Sequence, residues 1–92
     1  MSKRDIEENF NYAVEQIRNL PSDNKNSPSD EMKLKFYGLY KQATLGKCNI
    51  DKPWAINIVE CKKWEAWNSL GDMSREQAKV KYCELFLKVN NY

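Results

Sequence analysis

Tyr37, Tyr40 and Lys41 stand at i, i+3 and i+4 in a segment of helical periodicity, so their side chains leave one helix face together. Two phenol rings beside an ammonium suit a nucleotide. The rings can stack on a purine while the hydroxyls and the ammonium reach phosphate oxygens. A stacked base contributes roughly 1–3 kcal/mol, and a hydrogen bond to a charged group about 1.5–3 kcal/mol. The same spacing also fits a core boundary with wet tyrosine hydroxyls, and the three residues alone do not separate these readings. Lys63, four residues before Trp67, reads either as a surface lysine lying along tryptophan or as a second cation for the same ligand. Tyr82 lies on the apolar face of its helix and Arg18 near the end of another, so their first readings are core residue and surface charge.

Covalent or acid–base chemistry has few candidates. Histidine is absent, which removes Ser-His and Cys-His nucleophile pairs, the commonest general base and most zinc sites. The three cysteines, Cys48, Cys61 and Cys83, are odd in number and too few for a four-thiol metal site. They read as reduced thiols, without a disulfide framework. Glu60, Glu65 and Glu76 look like solvated-face residues, and no carboxylate pair is set for acid–base work. The expectation is a binding protein with no catalytic residue, no metal and no cofactor.

Four helices must position these residues. Ile6, Phe10, Ala13, Ile17 and Leu20 form a stripe that predicts a first helix over 5–20, stopped by Pro21. Residues 21–29 are polar and proline-bounded, the pattern of an exposed loop. A second helix is expected over 30–45, with Ser29 or Asp30 as its N-cap and Gly46 as its stop. Its core stripe is Met32, Phe36, Leu39 and Ala43, beside a second row of Lys33, Tyr37, Tyr40, Lys41 and Thr44. After a connection over 46–55, a third helix is predicted over 56–70, ending at Gly71. Ser74 opens the fourth, with Gln77 at capping-box spacing. The fold class is therefore all-α, a small bundle in one domain over 1–92.

Composition agrees. With 92 residues, 41% hydrophobic and 30% charged, the chain is an ordinary globular domain, and three glycines and three prolines are too few for a turn-rich β fold. The net charge of +2 is weak for a dedicated nucleic-acid binder. Neither a secretory leader nor a run of about 20 apolar residues is visible, so a soluble, cytoplasmic monomer without stable membrane insertion is expected.

Three stretches carry a resemblance. They are Tyr37-Gly38-Leu39-Tyr40-Lys41-Gln42-Ala43-Thr44-Leu45-Gly46, then Lys63-Trp64-Glu65-Ala66-Trp67-Asn68, then Ser74-Arg75-Glu76-Gln77-Ala78 with Tyr82 beyond. In this order the chain resembles the acyl-CoA-binding protein family, from Phe10 to Val89. The resemblance implies a four-helix bundle with up-down-down-up topology and a long crossover between the second and third helices. It implies one medium- to long-chain acyl-CoA per monomer, carried and pooled in lipid metabolism without hydrolysis.

Residue by residue, it assigns Tyr37, Tyr40 and Lys41 to the adenine and ribose 3′-phosphate, and Lys63 to the same phosphate. Tyr82 would stand beside nucleotide and acyl path, and Arg18 near the adenine. Gly38 and Leu39 fall inside the binding segment, although Leu39 also belongs to the core stripe. Lys33 and Leu34 would line the acyl groove. Departures from the family pattern are a longer 21–29 loop, Lys33 in an apolar position, Val14 in place of a small residue and a bulky Trp54 in the crossover. The competing reading is a helical nucleic-acid-binding module using the same tyrosine and lysine face.

Overall fold

A computed structural model describes residues 2–20 and 28–90 and contains four helices: α1 Lys3–Arg18, α2 Asp30–Leu45, α3 Ile58–Asn68 and α4 Arg75–Asn90. No strand occurs among the described residues.

The capping chemistry sets most boundaries. Ser2 accepts from the Asp5 N–H at 3.2 Å, which starts α1 two residues earlier than the apolar stripe indicates. The helix closes at Arg18, leaving Leu20 outside it and 38% exposed, so Leu20 is not part of the core stripe. Pro21 and the 21–27 part of the expected loop lie outside the described residues. Ser29 caps α2 through the Met32 N–H, and Gly46 ends it at φ 85°, a left-handed conformation that glycine adopts without a Cβ penalty. Ser74 and Gln77 exchange side-chain bonds with each other's backbone N–H, each at 3.0 Å, as a capping box requires.

The third helix is shorter than its predicted range. The Asn57 N–H donates to the Trp54 carbonyl at 2.8 Å, closing a turn that delays the helix until Ile58. At the other end, successive i to i−3 bonds at Leu70 and Gly71 tighten the chain out of the helix.

Side-chain contacts define the directions. Glu7 with Lys79, Phe10 with Tyr82 and Tyr12 with Phe86 advance together, so α1 and α4 run parallel. Phe36 with Tyr82 and the Leu45 carbonyl with Arg75 run in opposite order, so α2 is antiparallel to α4. These directions agree with the implied course of α1, α2 and α4. The core is Phe10, Ala13, Val14, Phe36, Leu39, Ala43, Ala78 and Tyr82, the inner stripes of α1, α2 and α4.

The α2–α3 contact depends on a missing side chain. A Cβ at Gly38 would lie 2.5 Å from the Ala66 carbonyl oxygen, a backbone atom that cannot swing aside. Gly38→Ala adds about 1 kcal/mol of helix propensity but overpacks the crossing at roughly 1–3 kcal/mol. The clash is against backbone, which puts it at the upper end. A net loss of about 1–2 kcal/mol, or roughly 5–15 °C in Tm by thermal unfolding, is the expected result. An unchanged Tm would show that the helices separate at no cost.

One buried polar residue holds the turn before α4. Gln42, fully buried, donates from Nε2 to the Gly71 carbonyl at 3.0 Å and the Met73 carbonyl at 2.7 Å. Both bonds cross from α2 to residues far along the chain, so Gln42 sets where α4 begins.

Candidate ligand site

Tyr37, half-buried on α2, is bracketed by two ammonium groups from different helices. Lys41 Nζ stands 5.7 Å from its ring centroid and Lys63 Nζ 5.5 Å. The α2–α3 crossing at Gly38 brings α3, and Lys63 with it, over the Tyr37 face. Lys41 also lies 5.9 Å from the ring of Trp67, which is buried and donates from Nε1 to the Gly46 carbonyl at 2.8 Å. Lys63 pairs with Glu60 at 3.5 Å, an exposed contact of small energy that an incoming anion can replace. Two cations within 6 Å of one aromatic ring repel each other and favour an anion beside them.

Arg18 and Tyr40 form a neighbouring cluster. Arg18 Nη2 donates to the Tyr40 hydroxyl at 2.9 Å, with its guanidinium carbon 5.2 Å from the ring centroid. They share a cavity of about 640 Å³ with Val14, Thr44, Arg75 and Lys79 and with the carboxylates Glu7 and Glu15, of which Glu7 pairs with Lys79. Arg18 thus groups with Tyr40, and the two lysines with Tyr37. Arg75 and Lys79, four apart at the start of α4, were not singled out. Their spacing shows a shared face but not which neighbour that face meets.

Tyr82 closes the core beneath this cavity. It is 3% exposed, packed edge-on to Phe10 at 5.2 Å and tilted against Phe36 at 5.0 Å. Burial pushes its hydroxyl up from 10.0 to about 12, while Arg18 acts in the opposite direction. The folded protein thus holds this proton more tightly than the unfolded chain. The resulting contribution to stability is complete below pH 10 and is lost as the pH climbs through 12. Its size is about 2–3 kcal/mol. In urea titrations between pH 9 and 12, Tyr82→Phe should lose that much less stability than the parent; parallel losses would exclude the assignment.

A second cavity, of about 760 Å³, lies between α2, α3 and α4. Leu34, Leu39, Ala66, Leu70, Met73 and Leu85 supply apolar wall, and Lys35, Lys62 and Lys88 are among its charged residues. It contains none of Tyr37, Lys41 and Lys63. Of the remaining predicted site residues, Leu34 and Leu39 line this cavity, Gly38 is buried at the α3 crossing and Lys33 is exposed.

Burial first and Glu84 second push the Cys83 thiol up, the direction opposite to an activated nucleophile. Among the described residues no group of three or more Cys, Asp or Glu could hold a metal ion.

Fold and side-chain geometry together define an all-helical bundle with a face of lysines, an arginine and tyrosines. Compared with known proteins, the chain belongs to the acyl-CoA-binding protein family: the family model described as "Acyl CoA binding protein" matches residues 7–86. Acyl-CoA-binding domain-containing protein 5 of Xenopus tropicalis is 50% identical over 80 residues, which is 87% of this chain and 18% of the relative. The corresponding protein of Bos taurus is 46% identical over 83 residues, 90% of this chain and 16% of the relative. The chain therefore spans less than a fifth of the length of these curated relatives. Among solved structures, the crystal structure of the acyl-CoA-binding protein from Moniliophthora perniciosa superposes with a TM-score of 0.89 at 37% identity, covering 99% of this chain and 82% of that one. Acyl-CoA-binding protein 2 of Oryza sativa gives 0.83 at 32% identity, with 94% and 91% covered.

Proposed function

We propose that this chain binds medium- to long-chain fatty acyl-CoA thioesters, one per chain, and serves as a carrier and pool former without hydrolysing them. The observation that carries the reading is the pair of ammonium groups, from α2 and α3, over the Tyr37 ring. A 3′-phosphate between them relieves their repulsion, and the adenine stacks on tyrosine. Tyr37, Tyr40, Lys41, Lys63 and Arg18 hold the nucleotide, with Arg75 and Lys79 as further cations beside Tyr40. The acyl chain runs past Leu34 toward the apolar wall of the larger cavity. Family membership supports the ligand class. The absence of histidine and the raised Cys83 thiol support binding over catalysis. The reading includes a cytoplasmic working location.

Titration calorimetry with acyl-CoAs of increasing chain length tests it. One-to-one binding is expected, with free CoA far weaker and affinity rising by up to about 0.8 kcal/mol per buried methylene until the groove is filled. Failure to bind any acyl-CoA of medium or long chain would overturn the reading. Tight, salt-sensitive binding of single-stranded nucleic acid in its place would favour the competing one.

A further inference from the structure

The larger cavity has an apolar interior and a charged lip. Its apolar residues, among them Leu34, Leu39, Leu70 and Met73, are all buried or half-buried, whereas its charged residues are all exposed. The lip carries four lysines and three glutamates, one of which, Glu65, is paired with Lys52. An apolar trough under a lip of mixed charge suits an uncharged hydrocarbon more than an ion.

The trough has an entrance and an end. Tyr37 lies against Lys63 and Lys41 against Trp67, so α2 and α3 run parallel, with α4 antiparallel to α2. Leu34, Lys62 and Lys88 therefore stand at one end of the trough, and Leu70 and Met73 at the other. Leu34 is three residues before Tyr37 on α2, and Lys62 adjoins Lys63, so the first end opens beside the nucleotide face. Farther along, the close approach of Gly38 to the Ala66 carbonyl shuts the α2–α3 gap. A chain leaving the Tyr37 face thus enters the trough at Leu34 and Lys62.

The far end is fixed by the fold. The Met73 N–H donates to the Leu70 carbonyl at 3.2 Å, which closes the turn that carries both side chains. Gln42 holds this turn through the Gly71 and Met73 carbonyls, and Leu70 and Met73 pack against the core. Asp72 and Ser74, exposed beside them, offer a hydrocarbon no apolar surface, so further methylenes gain nothing there.

We propose that Leu70 and Met73 form the end wall of the acyl path, with Met73 meeting the terminal methyl, and that they set the chain length at which affinity stops rising. The inference rests on the acyl-CoA reading above and adds the residues that determine length. An unbranched thioether side chain suits such a wall, because it adjusts to the group it meets.

Calorimetry with a series of even-numbered saturated acyl-CoAs tests this on the parent and two Met73 variants. In the parent each step of the series should tighten Kd by up to about 15-fold, up to a break beyond which affinity stays level. Met73→Ala lengthens the trough and should move the break at least one step later. Met73→Trp shortens it and should move the break at least one step earlier. Chains too short to reach the wall should bind all three proteins alike. With methyl-labelled methionine, the Met73 methyl should show nuclear Overhauser contacts to the terminal methyl of a chain of break length, and the Met32 methyl none. That measurement uses the parent chain, so it decides the matter even if a variant fails to fold. A break at one length in all three proteins, or no such contact in a tight complex, would overturn the wall and leave acyl-CoA binding standing. A parent that binds no acyl-CoA would overturn the ligand reading, and this inference with it.

Discussion

Lys41→Ala is expected to weaken long-chain acyl-CoA binding by about 1.5–3 kcal/mol, on the order of 10- to 150-fold in Kd. The ammonium has no carboxylate partner among the ion pairs of the described residues, and its ring contacts are Tyr37 and Trp67. Removing it takes one of the two cations from the Tyr37 face and leaves Lys63, which Glu60 already neutralises in part. The loss should therefore exceed that of Lys63→Ala. Because both lysines address one anion, their effects should depart from additivity by about 0.5 kcal/mol or more in the double variant. The salt dependence of binding should flatten at the same time. Calorimetry at two ionic strengths measures both quantities, and thermal unfolding checks that the fold is intact. An affinity unchanged within error would remove Lys41 from the site.

The second large effect falls on stability. Gln42→Ala removes both donors from the Gly71 and Met73 carbonyls and opens a hole at a fully buried position. Each abandoned carbonyl costs about 1–3 kcal/mol, and the cavity adds to that. A loss of roughly 3–5 kcal/mol is expected, which is a large part of the total stability of so small a domain. In thermal unfolding this corresponds to a fall in Tm on the order of 15–25 °C. Gln42→Leu keeps the volume, loses the donors and also removes Oε1, a buried acceptor without a hydrogen-bond partner, so it should cost clearly less. If the two variants were equally stable, packing at this position would be irrelevant. If both matched the parent, the 71–73 turn would not depend on Gln42.

The two predictions differ in how visible their residues were beforehand. Lys41 stands out because its spacing from Tyr37 and Tyr40 places all three on one face, and helical geometry alone supplies that. Gln42 belongs to the same distinctive segment, yet no rule of periodicity marks it as a buried donor. Its partners are 29 and 31 residues away, and only the return of the chain brings their carbonyls to it. Arg75 and Lys79 were missed for the same reason: two cations at i and i+4 read as a solvated face until α1 and α2 are packed beside them.

Much of the fold was determined locally. Ser29, Gly46 and the Ser74–Gln77 box end or begin helices through bonds spanning three or four residues, so their effect is written within a single turn. The apolar stripes of α1 and α2 are likewise short-range patterns, and they identified Phe10, Ala13, Phe36, Leu39 and Ala43 of the core, but they included Leu20, which lies outside it, and left out Val14, which is buried. The start of α3 was not legible, because the turn closed by Asn57 on Trp54 competes with helix and is fastened by Cys61 and Trp64 on the helix itself. Sequence alone thus determined the helices, the tyrosine–lysine face and the family. Tertiary structure decided that Lys41 and Lys63 share Tyr37, that Arg18 turns to Tyr40 and that Tyr82 is buried beneath them. Those pairings join residues from different helices, and a helical period carries no information about which face of one helix will meet which face of another.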